Sequence, residues 1–159
     1  MQIFSLLSAA FLAAAPGGAD LCDTAAEAKV LAAAHKQILR AHLENDPAAW
    51  LALEADKVVL GREGLVYTED YDFRKERGTE YLSQSKFTMY DDMVEPVTEV
   101  ADDCSIGWVI AQVRVKGEFG EGDAMQPVNW QSSWIELYRK IDGAWRIVGS
   151  VSNYVEKTD

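Results

Sequence analysis

The chain has 159 residues, about one domain's worth, with 26 acidic and 15 basic side chains and a formal charge of −11. Apolar residues make up 48% and charged residues 26%, and five Trp, six Tyr and five Phe can fill one core, which excludes a disordered chain. The acidic excess leaves no basic stripe to displace counterions, so nucleic acid is not an expected partner.

Residues 1–19 carry no charged side chain, and Ile3 to Ala15 is a run of Leu, Phe, Ala, Ile and Ser before Pro16-Gly17-Gly18-Ala19. A short apolar stretch followed by small residues reads as a secretory signal peptide, although it lacks the usual basic n-region. It is shorter than the ~20 apolar residues a bilayer span needs. On this reading residues 1–19 are removed, residues 20–159 form a single domain, and the product is periplasmic or secreted with no membrane attachment after cleavage. The alternative is a buried N-terminal helix. Export gives Cys22 and Cys104 a meaning, because an even pair in an oxidising compartment is expected to bridge. The bridge would close a loop of about 80 residues, for which the chain-entropy model gives ~4–5 kcal/mol. Two unpaired small hydrophobes are the alternative.

From Thr24 the pattern is helical: Ala25, Ala28, Leu31, Ala32, Ile38, Leu39 and Leu43 recur at helical spacing, and Thr24 with Glu27 forms a capping-box pattern. Asn45-Asp46-Pro47 ends this helix and starts another carrying Trp50, Leu51 and Leu53, with Asp46 as N-cap and Pro47 in the first turn. Lys57–Leu60 and Leu65–Tyr67 read as short extended segments around Gly61 and Gly64. Arg74–Lys86 reads as a polar helix suited to a lid. Four β-rich stretches follow, Met93–Val100, Ile106–Phe119, Val128–Ile141 and Ala144–Val155, the last two joined by the hairpin signal Asp142-Gly143. Helices first and a long antiparallel meander after predict an α+β fold. Strands of a dozen residues must twist or curl, so the sheet is expected to form a cone with the helices on its concave side.

Leu53-Glu54-Ala55-Asp56-Lys57-Val58-Val59 after two helices, and the closing Asp142-Gly143-Ala144-Trp145-Arg146-Ile147-Val148, resemble the NTF2-like (SnoaL-like) superfamily over roughly Ala25–Tyr154. The resemblance implies the cone, but not one activity, since the superfamily includes isomerases, cyclases, dehydratases, epoxide hydrolases and association modules. In the steroid-isomerase-like branch a helical Tyr, an Asp base and a protonated Asp do the chemistry. Counting from the two anchors puts those positions near Ile38, Arg62 and Gln131. An alkyl group cannot polarise a carbonyl and a guanidinium cannot act as a base, so that chemistry is not expected here. The kinase-association-domain branch places His on the last strand, where this chain has Gly149 and Val151, and a pocket Arg where this chain has Arg114. An epoxide-hydrolase-like Asp–Arg–Asp site lacks acids, as only Glu136 lies on the Val128–Ile141 strand.

Alternation puts Ile106, Trp108, Ile110, Gln112 and Arg114 on one face of their strand, and Val109, Ala111, Val113 and Val115 on the other. A charged Arg in an apolar row calls for an anion or an acid partner, so Arg114 either anchors an anionic group inside the cone or makes a structural pair. On the next strand Trp130, Ser132, Trp134, Glu136 and Tyr138 oppose Gln131, Ser133, Ile135 and Leu137. Either face could be the cavity wall. The expected pocket comprises Arg114, Trp108, Gln112, Tyr67, Tyr90, Gln131, Ser133 and Trp50. His35 and His42, seven apart on the first helix, stand ~10 Å apart along its axis, too far to share a metal ion, and partial exposure is expected for both. The acidic runs Glu69-Asp70-Tyr71-Asp72, Asp91-Asp92 and Asp102-Asp103 read as solvated loops. No metal or cofactor is expected, and the sequence identifies no catalytic set. Two functional classes stand: a pocket protein for a small, partly apolar ligand, and an isomerase, cyclase or dehydratase. A homodimer through the outer sheet face is expected in either case, and a pure assembly module would have its pocket filled with side chains.

Overall fold

A computed structural model describes residues 22–157, so the leader assigned to residues 1–19 lies outside the described residues. The first helix, α1 (Thr24–Glu44), starts where Asp23 accepts from the Ala26 N–H at 2.9 Å. The expected capping box is therefore displaced: Thr24 is already helical. Glu27 instead accepts from Lys140 Nζ and Trp145 Nε1, each at 2.5 Å, which ties the first turn to the last hairpin and lowers the Glu27 pKa. Asn45 ends α1 in a left-handed conformation, and Asp46 caps α2 (Pro47–Leu51) by accepting from the Ala49 N–H.

There follow β1 (Glu54–Arg62), β2 (Leu65–Asp70), α3 (Tyr71–Ser83), β3 (Ser85–Asp92), β4 (Val97–Val100), β5 (Ile106–Phe119), β6 (Gln126–Ile141) and β7 (Ala144–Glu156). The described residues form one seven-stranded sheet in the order β2-β1-β7-β6-β5-β3, with β4 also on β5. The α+β cone expected from sequence is observed, and the Asp142-Gly143 hairpin joins β6 to β7. Two features differ. The sheet is mixed, because β1 pairs with β7 in parallel. The helix expected over Arg74–Lys86 ends at Ser83, and Ser85 and Lys86 begin a strand: Ser85 Oγ donates to the Tyr81 carbonyl, and Ser85–Asp92 then pairs with β5 while burying Phe87 and Tyr90.

The core lies between α1 and the inner face of the sheet. Val109, Ala111, Val113 and Val115 of β5 are all buried, and Leu31 and Ile38 of α1 pack with Val109, Tyr138, Trp145 and Ile147. Two bulges redirect side chains. One lies between Phe87 and Met89, opposite Gly117, where a Cβ would collide with the Lys86 carbonyl and come within 2.7 Å of Phe87 Cα. In the other, Tyr138 pairs with Ile147 and Leu137 with Gly149, which leaves Val148 as the extra residue of β7. Before this bulge Trp145 and Ile147 face the core; beyond it Ser150, Ser152 and Tyr154 oppose Glu136, Trp134 and Ser132 of the inner row. A disulfide joins Cys22 at the start of α1 to Cys104 in the β4–β5 turn, with Cα atoms 5.6 Å apart and a sequence separation of 82. Among the described residues no helix is long and apolar enough to cross a membrane.

Candidate functional site

The curl of the sheet leaves a cavity of about 490 Å³ between its inner face and the three helices. Trp130, Ser132, Trp134 and Glu136 of β6 form one wall, Ile38 and His42 of α1 and Trp50 of α2 the roof, and Arg74, Arg77 and Tyr81 of α3 one side. The His42 ring lies 4.4 Å from Tyr90 and 4.8 Å from Trp50, centroid to centroid, and Tyr90 meets Trp130 edge-on at 5.9 Å.

His42 Nδ1 lies 2.8 Å from the Ile38 carbonyl. A carbonyl can only accept, so Nδ1 carries the proton and Nε2 is an acceptor, with no partner among the described residues. Burial pulls the His42 pKa down to about 4, so the ring is neutral at pH 7. Burial, then Tyr81 and Glu136, push the Tyr90 hydroxyl well above its ordinary value. It stays a donor, and it too has no hydrogen-bond partner among the described residues.

Glu136 is buried in this wall and fully engaged. Oε1 accepts from Trp134 Nε1 and Oε2 from the Tyr138 hydroxyl, both at 2.7 Å. Behind it, His35 Nε2 stands 2.9 Å from Asp92 Oδ1, and Nδ1 stands 3.5 Å from Glu136 Oε1. The second distance suits an ion pair; its geometry makes no hydrogen bond, so Nδ1 is a buried group without one. Burial works against protonation of His35, but Glu136 and Asp92 outweigh it and raise its pKa. The result is an imidazole held between two carboxylates that favour its charged form, one on the cavity wall and one at the end of β3.

On the α3 side, Arg74 Nε donates to Glu54 at 2.8 Å, its second terminal nitrogen to the other Glu54 oxygen, and its first to Glu69 at 3.3 Å. Arg77 also donates to Glu69. Burial disfavours the Arg74 charge, yet Glu54 and Glu69 hold its pKa above the ordinary value. Arg74 lies over the Trp50 ring, and Gly78 lets α3 approach so closely that a Cβ there would be 3.2 Å from that ring. Among the described residues no group of three or more His, Cys, Asp or Glu is placed to hold a metal ion.

No protein-family profile and no curated protein matches the chain. Solved structures do. An NTF2-like protein from Streptomyces avermitilis aligns with a TM-score of 0.67 at 10% identity, covering 83% of this chain and 98% of the other. An NTF2-like protein from Cytophaga hutchinsonii gives 0.63 at 14%, covering 80% and 97%. A ketosteroid isomerase-like protein from Erwinia carotovora atroseptica gives 0.63 at 20%, covering 82% and 98%. The fold is NTF2-like. At these identities the likeness is one of architecture.

Within the NTF2-like cone, Trp50, Tyr67 and Tyr90 line the cavity as expected from sequence, whereas Arg114, Trp108, Gln112, Gln131 and Ser133 do not. The reason is a choice of face. The Val109–Val115 row packs under the helices, so Trp108, Gln112 and Arg114 occupy the outer surface; on β6 the Trp row is the inner one, so Gln131 and Ser133 face outward. Arg114 Nε donates to Asn129 Oδ1 at 2.8 Å, a bond between β5 and β6 rather than a pocket anchor. Both histidines, expected to be partly exposed, are buried on the inward side of α1. Two of the acidic runs are not wholly solvated, since Glu69 is buried under Arg74 and Arg77, and Asp92 pairs with His35. Ile38 and Arg62, reached by counting from the isomerase-like branch, do line the cavity. The Val148 bulge passes the wall from Gly149 and Val151 to Ser150 and Ser152. His42, Glu136, His35 and Arg62 are the residues sequence reasoning passed over. The available signals were the shared stripe of His35 and His42 with Leu31 and Ile38, and the place of Glu136 in one row with Trp130, Trp134 and Tyr138.

Proposed function

We propose that the chain is a pocket protein for a small, partly apolar ligand that enters the cone and stacks against its aromatic wall. The observation that carries this reading is an open cavity of about 490 Å³ whose ring-lined interior holds a neutral acceptor, His42 Nε2, and a donor, the Tyr90 hydroxyl, with no protein partner among the described residues. A few polar groups in an apolar pocket orient what binds there, and a ligand hydroxyl, amide or carbonyl could meet both. An assembly module with a filled pocket fits this interior poorly. The second reading, a proton-transferring isomerase, cyclase or dehydratase, draws on the same donor and acceptor meeting one bound molecule.

Export to an oxidising compartment and a homodimer belong to the same proposal. The disulfide supports the first. The outer sheet face supports the second, with Ile110 45% exposed and Trp108 half-buried beside it. Sedimentation of the purified protein reads the dimer, and N-terminal sequencing after expression in an exporting host reads the cleavage.

The ligand reading is tested with the neutral dye 1-anilinonaphthalene, which fluoresces in apolar sites. Wild-type protein is expected to bind it. Ser152→Phe, which pushes a ring into the cavity, should abolish the signal, while Ser133→Phe on the outer face should leave it. Equal binding by both variants, or none by wild type, would refute the proposal.

A further inference from the structure

Three arginines border the cavity, and they differ in what they face. Arg74 and Arg77 are neutralised by Glu54 and Glu69. Arg62, at the end of β1, forms no ion pair among the described residues. It follows Val58 and Leu60 along the inner row of β1, and Tyr67 stands across from Leu60 in the register with β2. Glu63 also borders the mouth. Arg62 and Glu63 make no ion pair with each other, and Arg62 opposes the burial that raises the pKa of the Tyr81 and Tyr90 hydroxyls. Arg62 is thus an exposed guanidinium, without an ion pair among the described residues, at the rim of a ring-lined hollow.

Resting on the pocket reading above, we infer that the ligand is an organic carboxylic acid, its rigid apolar body held among Trp50, Tyr90 and Trp130 and its carboxylate bound by Arg62 at the mouth. A guanidinium offers a carboxylate two parallel N–H donors, and such charge-assisted bonds are stronger than neutral ones. The net charge of −11 would repel an anion approaching from a distance, so a local, unneutralised cation is what an acid needs in order to dock here. The inner end of the cavity then meets the other end of the ligand with Tyr90 and His42. Arg114, the cation first suggested by sequence, is on the opposite side of the sheet and takes no part.

The test uses three probes of one shape: 1-naphthylacetate, the neutral 1-naphthylacetamide and the cationic 1-naphthylmethylammonium, titrated calorimetrically against wild-type protein, Arg62→Gln and Arg114→Gln. Wild type should prefer the acid over the amide by about tenfold, the scale of one charge-assisted hydrogen bond. Arg62→Gln should bind both alike, with melting temperature unchanged because the side chain is exposed, and Arg114→Gln should keep the preference. Equal affinity for acid and amide in wild type, a preference that survives Arg62→Gln, or tightest binding of the cation would overturn the carboxylate assignment while leaving the pocket intact. Failure of all three probes to bind would overturn the pocket reading and this inference with it.

Discussion

The two faces of β6 make the sharpest contrast in the molecule. The inner face presents Trp130, Ser132, Trp134, Glu136 and Tyr138; the outer presents Gln131, Ser133, Ile135 and Leu137. Hydrophobicity separates them poorly, since each carries apolar and polar groups. Polar bonding separates them well. Inside, the indole of Trp134 and the hydroxyl of Tyr138 donate to Glu136, and the imidazole of His35 stands 3.5 Å from it. Outside, the Ser133 hydroxyl meets only the exposed Asn153 side chain. On the inner face one buried carboxylate satisfies two donors of its own strand, the Trp134 indole and the Tyr138 hydroxyl.

The largest expected effect attacks that convergence. Glu136→Leu strands the Trp134 and Tyr138 donors and removes the carboxylate facing His35, and should cost about 3–5 kcal/mol by urea unfolding, in the range for breaking a buried pair. Ser133→Ala, two strand positions from the Glu136 neighbour Ile135 but on the outer face, should change stability by about 0.5 kcal/mol or less. Comparable losses at the two sites would erase the contrast between the faces.

A second pair lies on α1, where His35 and His42 share a helix face and meet opposite environments. His42 has its pKa lowered to about 4 by burial, below the unfolded value of 6.5. Between those values the unfolded chain binds more protons, so the stability tied to neutral His42 is full above pH 6.5 and is lost as pH falls towards 4, on the order of 3 kcal/mol in all. His42→Phe should flatten that acid limb. His35 has its pKa raised by Glu136 and Asp92 against the pull of burial. Its contribution is full below pH 6.5 and is lost as pH rises through the folded pKa, so His35→Gln should flatten the alkaline side. NMR titration of the two imidazoles checks both directions; like-signed shifts would contradict the structure.

The fold is legible in the sequence where a short segment dictates its own geometry. Asp46-Pro47 opens a helix, Asp142-Gly143 turns a hairpin, and the length of β5 to β7 forces the curl that yields the cone. The assignment of faces failed because it depends on contacts that no single strand encodes. Both rows of β5 are rich in apolar residues, and only the arrival of Leu31 and Ile38 from α1 decides which is inside. Counting by twos along β7 also breaks at Val148, since a bulge shifts every later residue to the other face. Glu54, Glu69 and Arg74 look like ordinary surface charges in sequence, and become a buried network only when α3 folds over Trp50.

In the proposed function, ligand meets the inner face of the sheet. Indole N–H signals of the five tryptophans, followed by NMR as 1-naphthylacetate is added, test it most directly. Trp50, Trp130 and Trp134 should shift in a saturable manner while Trp108 on the outer surface stays fixed. Movement of Trp108 with the inner three silent would contradict the account.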